Sequence, residues 1–246
     1  MNHLRLTPVV KWLCIICFAA FIIQQTADQF LGMNLLGWFA LVPASVVIDF
    51  RFWQLFTYPF LHGEVMHLFL NLMMLAFIGS ELEAIWGKKL FLSFFFFCSG
   101  RGGLFYLLLQ IVLSRPESLH MPMVGASAAI YGMLMAYGIY FGDRAMLFMM
   151  IFPMKAKHFV WILGGIELMS TLFSGRNGAA SIAHLGGMIA GFGFLWGRTM
   201  MILAKKRHQE GGGFLPKKKK SSHLKLISGK ASSSDDDDKP KPTTWH

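Results

Sequence analysis

The chain alternates long apolar runs with short polar segments, and the apolar runs approach the roughly 20 residues that cross a bilayer as a helix. Several runs are shorter than this length, so the ends of the helices are approximate. We predict six membrane-spanning helices, at residues 9–23, 65–80, 90–113, 124–141, 158–173 and 181–204. The apolar segment 145–154 is interrupted by Pro153 and followed by Lys155 and Lys157. We interpret it either as a re-entrant piece or as an extension of the fifth span.

The composition supports a membrane protein. Hydrophobic residues make up 54% of the chain and charged residues 15%, whereas soluble domains carry about 25% charged residues. A disordered chain, a coiled coil and a disulfide scaffold are excluded. The three cysteines, Cys14, Cys17 and Cys98, all lie in apolar runs, and we interpret them as packing residues rather than as a redox motif.

The positions of Lys and Arg predict the orientation, because cytoplasmic loops are enriched in these residues. The segments before span one, between spans two and three, between spans four and five, and after span six carry most of the basic residues. The opposite side receives one arginine per loop, at Arg51, Arg115 and Arg176. We therefore expect both termini on the cytoplasmic side.

Two domains follow from this pattern. Residues 1–204 form the membrane domain, and its first outer loop, about residues 24–64, is rich enough in aromatic residues to lie in the membrane interface. Residues 205–246 form a basic tail that we expect to be cytoplasmic and disordered. Residues 235–239 of the tail, DDDDK, resemble an enteropeptidase recognition sequence, so an engineered segment is one interpretation of the tail.

Polar side chains inside the predicted spans point to function, because they are costly in a bilayer. Spans two, four and six all run inward from the outer side. His67 is the third residue of its span, and Ser127 and His184 are each the fourth, a depth of roughly 3–5 Å below the outer end. Asn71 lies one turn below His67 on span two. The sequence therefore predicts a polar cluster near the outer face.

Stripes of small residues give these helices a means of contact. Ala128, Gly132 and Ala136 recur every four residues on span four, and Gly187 and Gly191 do so on span six. Such stripes allow membrane helices to approach closely. We expect this contact to bring Ser127 within hydrogen-bond reach of His184, and Tyr131, one turn after Ser127, to pack on the imidazole.

These residue types suit acyl transfer. A serine hydroxyl is a weak nucleophile that needs an adjacent base, and His184 could take its proton and pass it to a leaving amine. Asn71, His67 and the Ser127 backbone N–H could donate to a tetrahedral oxyanion. Because the sequence places no acidic residue beside His184, we expect a dyad rather than a triad.

The motifs around these residues resemble the rhomboid family of intramembrane serine proteases. Gly125-Ala126-Ser127 resembles the family's Gly-x-Ser, and Ala183-His184 with Gly187 and Gly191 resembles its Ala-His motif. His67 and Asn71 match its His-x-x-x-Asn. His62 lies five residues before this motif, and Glu83 stands where the family often keeps a glutamate after span two. The resemblance covers roughly residues 45–195.

The resemblance implies an all-α fold, a six-transmembrane-helix rhomboid-like bundle. It implies Ser127 as nucleophile, His184 as base, and Asn71, His67 and the Ser127 N–H as oxyanion donors, with Tyr131 and Gly125 in support. Two positions depart from the family pattern: Gln54 follows Trp53 where the family often has arginine, and Ala128 follows the serine where glycine is usual.

The implied partners are single-span membrane protein substrates and the lipid bilayer, without nucleic acid, metal or cofactor. An extended substrate is required, since a helical backbone hides its carbonyls. We expect a multi-pass location in a bacterial cytoplasmic (inner) membrane.

Two other classes stay open. One is a catalytically inactive rhomboid-like protein that binds membrane proteins. The other is a transporter or channel that uses Arg101 and Glu167, although the sequence has no internal repeat. Arg101 needs a partner in mid-span. We expect either an ion pair with Glu167 or hydrogen bonds to carbonyls freed by the glycines around Arg101.

Overall fold

The computed structural model describes residues 6–112, 118–148, 152–173 and 179–209. Within these ranges the protein is mostly helical. The α-helices, in chain order from α1 to α10, are Pro8–Phe30, Leu35–Phe39, Pro43–Ile48, Gln54–Thr57, Val65–Met74, Ser80–Trp86, Lys88–Val112, Ser127–Tyr140, Ala156–Phe173 and Ala179–Gln209. Short 3-10 turns lie at Tyr58–Phe60 and Ser118–His120, and a π-helical turn at Leu75–Gly79 joins α5 to α6.

Each of the six predicted spans overlaps a helical segment of the structure. Among the described residues, four helical segments are long and apolar enough to cross a membrane: Pro8–Phe30, Val65–Trp86, Lys88–Val112 and Ala180–His208. The α8 helix has 14 residues and α9 has 18. Neither helix is both as long and as apolar as these four segments. The count of six spans and the inward orientation of both termini stay predictions.

The first helix is longer than the sequence pattern predicts, because polar residues continue it beyond residue 23. Gln24 is buried, and its side-chain amide donates to the carbonyl of His62 at 3.1 Å. Asp28 accepts from the backbone N–H of Leu35 at 2.6 Å. These contacts tie the C-terminal end of α1 to the first loop.

The N-terminal end of α1 is fixed by Glu83 on α6. Its carboxylate accepts from the Thr7 hydroxyl at 2.5 Å and from the backbone N–H groups of Val9 and Val10 at 3.0 and 2.9 Å. The first N–H groups of a helix have no acceptor within the helix, and a negative charge at this end is favourable. Glu83 therefore joins α1 to the second apolar segment.

The segment 145–154 is neither re-entrant nor part of the fifth span. It belongs to an antiparallel hairpin of β1, Ala145–Phe148, and β2, Phe152–Lys155. Lys155 and Lys157 contact the Asp143 carboxylate at 3.3 and 2.8 Å, and Lys157 above all lowers the pKa of Asp143. These ion pairs lie at the base of the hairpin and at the start of α9.

The first loop folds into the short helices α2, α3 and α4, of which α3 and α4 pack on α7 and α2 packs on α1 and α4. Gln54, at the position where the sequence departs from the family pattern, is fully buried and accepts from the Val42 N–H at 3.0 Å. The buried Tyr58 hydroxyl donates to the carbonyl of Ser99 on α7 at 2.7 Å. The loop is thus a fixed scaffold beside the helices.

The α7, α8 and α10 helices approach closely through small residues. A Cβ added at Gly191 on α10 would lie 2.7 Å from the carbonyl oxygen of Gly132 on α8. One added at Gly102 on α7 would lie 2.7 Å from the Cβ of Ala128. Only residues without a larger side chain allow this backbone separation.

The chain divides into two units, residues 1–205 and 206–246. Arg115 and Arg176, which the sequence analysis assigns to outer loops, lie outside the described residues. So do residues 210–246, which include most of the basic tail and its DDDDK segment.

Two glycines on α10 give a test of this packing. We expect Gly191→Ala to destabilise the protein by about 1–3 kcal/mol through overpacking against α8. Gly193→Ala is the matched control, because a Cβ at Gly193 meets no atom within 4 Å and alanine favours the helix. Thermal unfolding in detergent measures both. Equal melting temperatures for the two variants would contradict the close contact.

Candidate active site

Ser127 is the first residue of α8, and backbone pairing with the first loop fixes the segment before it. Leu41 and Met123 exchange two backbone hydrogen bonds, at 3.0 and 2.9 Å. The Gly125 N–H donates to the Tyr58 carbonyl at 3.0 Å. The helix start, where backbone N–H groups have no intrahelical acceptor, is thereby held in one position.

Gly125 occupies a position that only glycine fits. Its φ is +106°, in the region that L side chains avoid. A Cβ there would also lie 2.7 Å from the His67 ring and 3.2 Å from the side-chain nitrogen of Asn71. His67 and Asn71 on α5 therefore line the space directly above the chain that leads into Ser127.

The structure brings Ser127 and His184 together. The Ser127 Oγ and the His184 Nε2 are 2.8 Å apart, a normal hydrogen-bond distance. Ser127 lies at the start of α8 and His184 lies in the second turn of α10, so the contact depends on the close approach of these helices. The His184 side chain is 17% exposed, which leaves the pair accessible from one side.

Tyr131 stacks on His184. The two ring centroids are 4.2 Å apart and the planes are nearly parallel, at 7°. The stack restricts rotation of the imidazole, so that its Nε2 stays directed at Ser127. The sequence analysis places Tyr131 in this supporting position from helix spacing alone.

The expectation that no acidic residue lies beside His184 is wrong. Oε1 of Glu167, on α9, lies 3.0 Å from the Nδ1 of His184. The Tyr131 hydroxyl donates to the same carboxylate oxygen. Glu167 is buried, so this carboxylate belongs to the interior of the site and not to a solvated surface.

The predicted ion pair between Arg101 and Glu167 is also wrong, because Glu167 faces His184 and Tyr131. Arg101 is exposed on α7, and its guanidinium carbon lies 5.4 Å from the centre of the Phe97 ring. This is a cation–π geometry. Because the Arg101 side chain is exposed, its charge does not require hydrogen bonds to backbone carbonyls freed by the neighbouring glycines, which was the alternative expectation.

A depth comparison could have found Glu167. It precedes the end of α9 at Phe173 by six residues, about 9 Å at the helical rise. His184 follows the start of α10 at Ala179 by five residues, about 7.5 Å. The hydropathy pattern predicts that the sixth span begins at residue 181, two residues after the observed start of α10. The depth of Glu167 is compared only with that of Arg101. For both reasons the similar depths of Glu167 and His184 are missed.

Asn71 and His62 complete the polar surroundings. Asn71 is buried, and among the described residues its side-chain nitrogen has no hydrogen-bond partner. His62 is fully buried, and its ring lies edge-on to the ring of His67 with centroids 5.1 Å apart. An unused donor on Asn71 and the ring of His67 thus face the segment that precedes Ser127, and His62 packs edge-on against His67.

Fold and site together define a helical membrane protein with a Ser-His pair at the start of one helix. Residues 49–200 match the sequence model of the family described as the Rhomboid domain. This is more than half of the chain. The protein belongs to the rhomboid family.

Curated relatives agree with this assignment. RHOMBOID-like protein 1 of Arabidopsis thaliana is 32% identical over 161 residues, which cover 62% of this chain and 36% of the relative. Rhomboid-like protease 3 of Toxoplasma gondii is 35% identical over 91 residues, which cover 37% of this chain and 32% of the relative. The matches thus span about a third of the length of these relatives.

The buried His62 predicts a pH dependence of stability. Burial, followed by the charge of His67, lowers the pKa of His62 from 6.5 to about 4. The unfolded chain therefore binds a proton between these pH values that the folded protein does not bind. Stability should be full above pH 6.5 and fall as the pH drops towards 4, with a slope of about 1.4 kcal/mol per pH unit at most.

Melting temperatures of the wild type and of His62→Gln between pH 7.5 and 4.5 measure this effect. We expect a shallower pH dependence in the variant, since glutamine does not titrate. Parallel curves would show that His62 is already paired or hydrated in the folded protein.

Proposed function

We propose that this protein is an intramembrane serine protease that hydrolyses peptide bonds in or near the transmembrane segments of single-span membrane proteins. The observation that carries the proposal is the 2.8 Å contact between the Ser127 Oγ and the His184 Nε2, inside a helical membrane protein of the rhomboid family. The same contact argues against a catalytically inactive, substrate-binding relative, which would have no need to keep both groups.

In the proposed reaction the Ser127 oxygen attacks the scissile carbonyl carbon while His184 takes the hydroxyl proton at Nε2. The resulting imidazolium returns this proton to the amine nitrogen as the C–N bond breaks, which leaves an acyl-enzyme on Ser127. Water then attacks the ester with His184 again as base. The peptide acid is released and the serine hydroxyl is restored.

The developing oxyanion needs donors that are already in place. Asn71 is suited to this role because its side-chain nitrogen is buried without a partner among the described residues. His67 lies beside it, and the Ser127 N–H belongs to the unsatisfied first turn of α8. Together they would surround one oxygen position above Gly125.

The substrate would enter as an extended segment, because the carbonyls of a helix are already hydrogen-bonded. With both termini on the cytoplasmic side, as the basic residues predict, the site would lie near the outer face where water is available. The protein is an integral membrane protein. The relatives come from a plant and from Toxoplasma gondii, and they give no support to a bacterial inner membrane.

A serine-reactive probe tests the nucleophile. We expect a fluorophosphonate to label the wild type in detergent, and Ser127→Ala and His184→Ala to abolish both labelling and cleavage of a model single-span substrate. Ser99→Ala is the matched control, since Ser99 is buried in α7 and its side-chain hydroxyl donates to the Phe95 carbonyl of the same helix. It should retain labelling and cleavage. Near wild-type cleavage by folded Ser127→Ala would overturn the mechanism.

The oxyanion role of Asn71 has its own test. Loss of one such donor costs about 10²–10³ in rate, so Asn71→Ala should lower kcat by this factor. KM should change little, because the donor acts on the transition state. Steady-state kinetics on the same substrate give both constants. If kcat is unchanged, Asn71 is a packing residue.

A further inference from the structure

Glu167 is a buried carboxylate for which the Ser-His mechanism gives no use. An ionised group inside a membrane helix is costly unless it is paired or hydrogen-bonded. Its neighbours are all potential donors from two other helices: the Tyr131 hydroxyl on α8, and the His184 ring and Ser181 side chain on α10. A carboxylate so surrounded is held as an anion against the imidazole.

The carboxylate and the serine lie on opposite edges of the same ring. Nε2 of His184 is 2.8 Å from the Ser127 Oγ, and Nδ1 is 3.0 Å from the Glu167 Oε1. A carboxylate only accepts hydrogen bonds, so it favours the tautomer with the proton on Nδ1. This tautomer leaves the Nε2 lone pair free to receive the serine proton.

The approach at Nδ1 is close, but it is not a well-aligned hydrogen bond. Electrostatic attraction does not require such alignment, and it is strongest when the ring is charged. Since the ring gains its charge only when the serine proton is transferred, the carboxylate favours the transition state over the resting state.

We propose that Glu167 is a positioning residue that completes a Ser127–His184–Glu167 relay, by fixing the His184 tautomer and stabilising the imidazolium formed during catalysis. This inference rests on the proposed protease function. Tyr131 then has two roles, because its ring covers one face of the imidazole while its hydroxyl holds the carboxylate in place.

The relay predicts a specific kinetic signature. In a serine protease triad, replacing the buried acid by its amide lowers kcat by about 10⁴. We expect Glu167→Gln to lower kcat by at least about 10²-fold with KM within a factor of about two, because the residue does not touch the substrate. Fluorophosphonate labelling of Ser127 should slow in parallel.

Two further variants separate the carboxylate's charge from its packing. Glu167→Asp keeps the charge on a shorter side chain and should retain at least about ten times the kcat of Glu167→Gln. Glu81→Gln is the matched control. Glu81, on α6, also accepts a hydrogen bond from a tyrosine of α8, Tyr137, at 3.0 Å, but Glu81 lies away from His184. It should keep wild-type kinetics.

The outcomes distinguish the two proposals. If the wild type cleaves and labels but folded Glu167→Gln keeps its kcat, the relay is overturned and the Ser-His mechanism stands. Equal kcat for the Gln and Asp variants also overturns it, since the charge would then have no effect. If Glu167→Gln does not fold, Glu167→Asp carries the test. Its shorter side chain withdraws the carboxylate from the His184 Nδ1, so kcat should fall below the wild-type value, and a folded Asp variant with full wild-type kcat would overturn the relay. A wild type that neither labels nor cleaves refutes the protease itself.

Discussion

Backbone contact between α8 and α10 is the constraint on which the site depends. Ser127 and His184 lie 57 positions apart in sequence, on two helices that meet where Gly132 faces Gly191. A single added methyl group at this crossing would lie 2.7 Å from a carbonyl oxygen. Helices kept apart by larger side chains would separate hydroxyl and imidazole beyond hydrogen-bond reach. The small residues are therefore as necessary to the geometry of the site as the polar residues.

Carboxylates provide a second set of joints between the helices. Glu83 satisfies the exposed N–H groups at the start of α1, and Glu167 connects α9 to both α8 and α10. In an apolar environment these polar contacts depend on direction, whereas dispersion interactions do not. They fix the rotation of each helix about its axis, which decides where a side chain such as His184 points.

The first loop also fixes the position of the site. It is built of short helices tied to α7 by Tyr58, and its backbone holds the segment before Ser127 through Leu41 and Tyr58. Gly125 must take a positive φ for that segment to pass beneath His67 and Asn71. Ser127 is thus placed at the start of a helix by a fixed scaffold, which also fixes the positions of its neighbours.

The sequence by itself determined the helical segments, the polar cluster near one face, and the residues at its centre. This was possible because apolar runs, four-residue stripes and helical rise are local regularities. Only the tertiary structure decided the rest. Whether α9 lies beside α10, and hence whether Glu167 meets Arg101 or His184, depends on the order of helices around the bundle, which no local periodicity encodes. The hairpin of Ala145–Phe148 and Phe152–Lys155 likewise depends on backbone pairing between two short segments, which the hydropathy of the sequence does not encode.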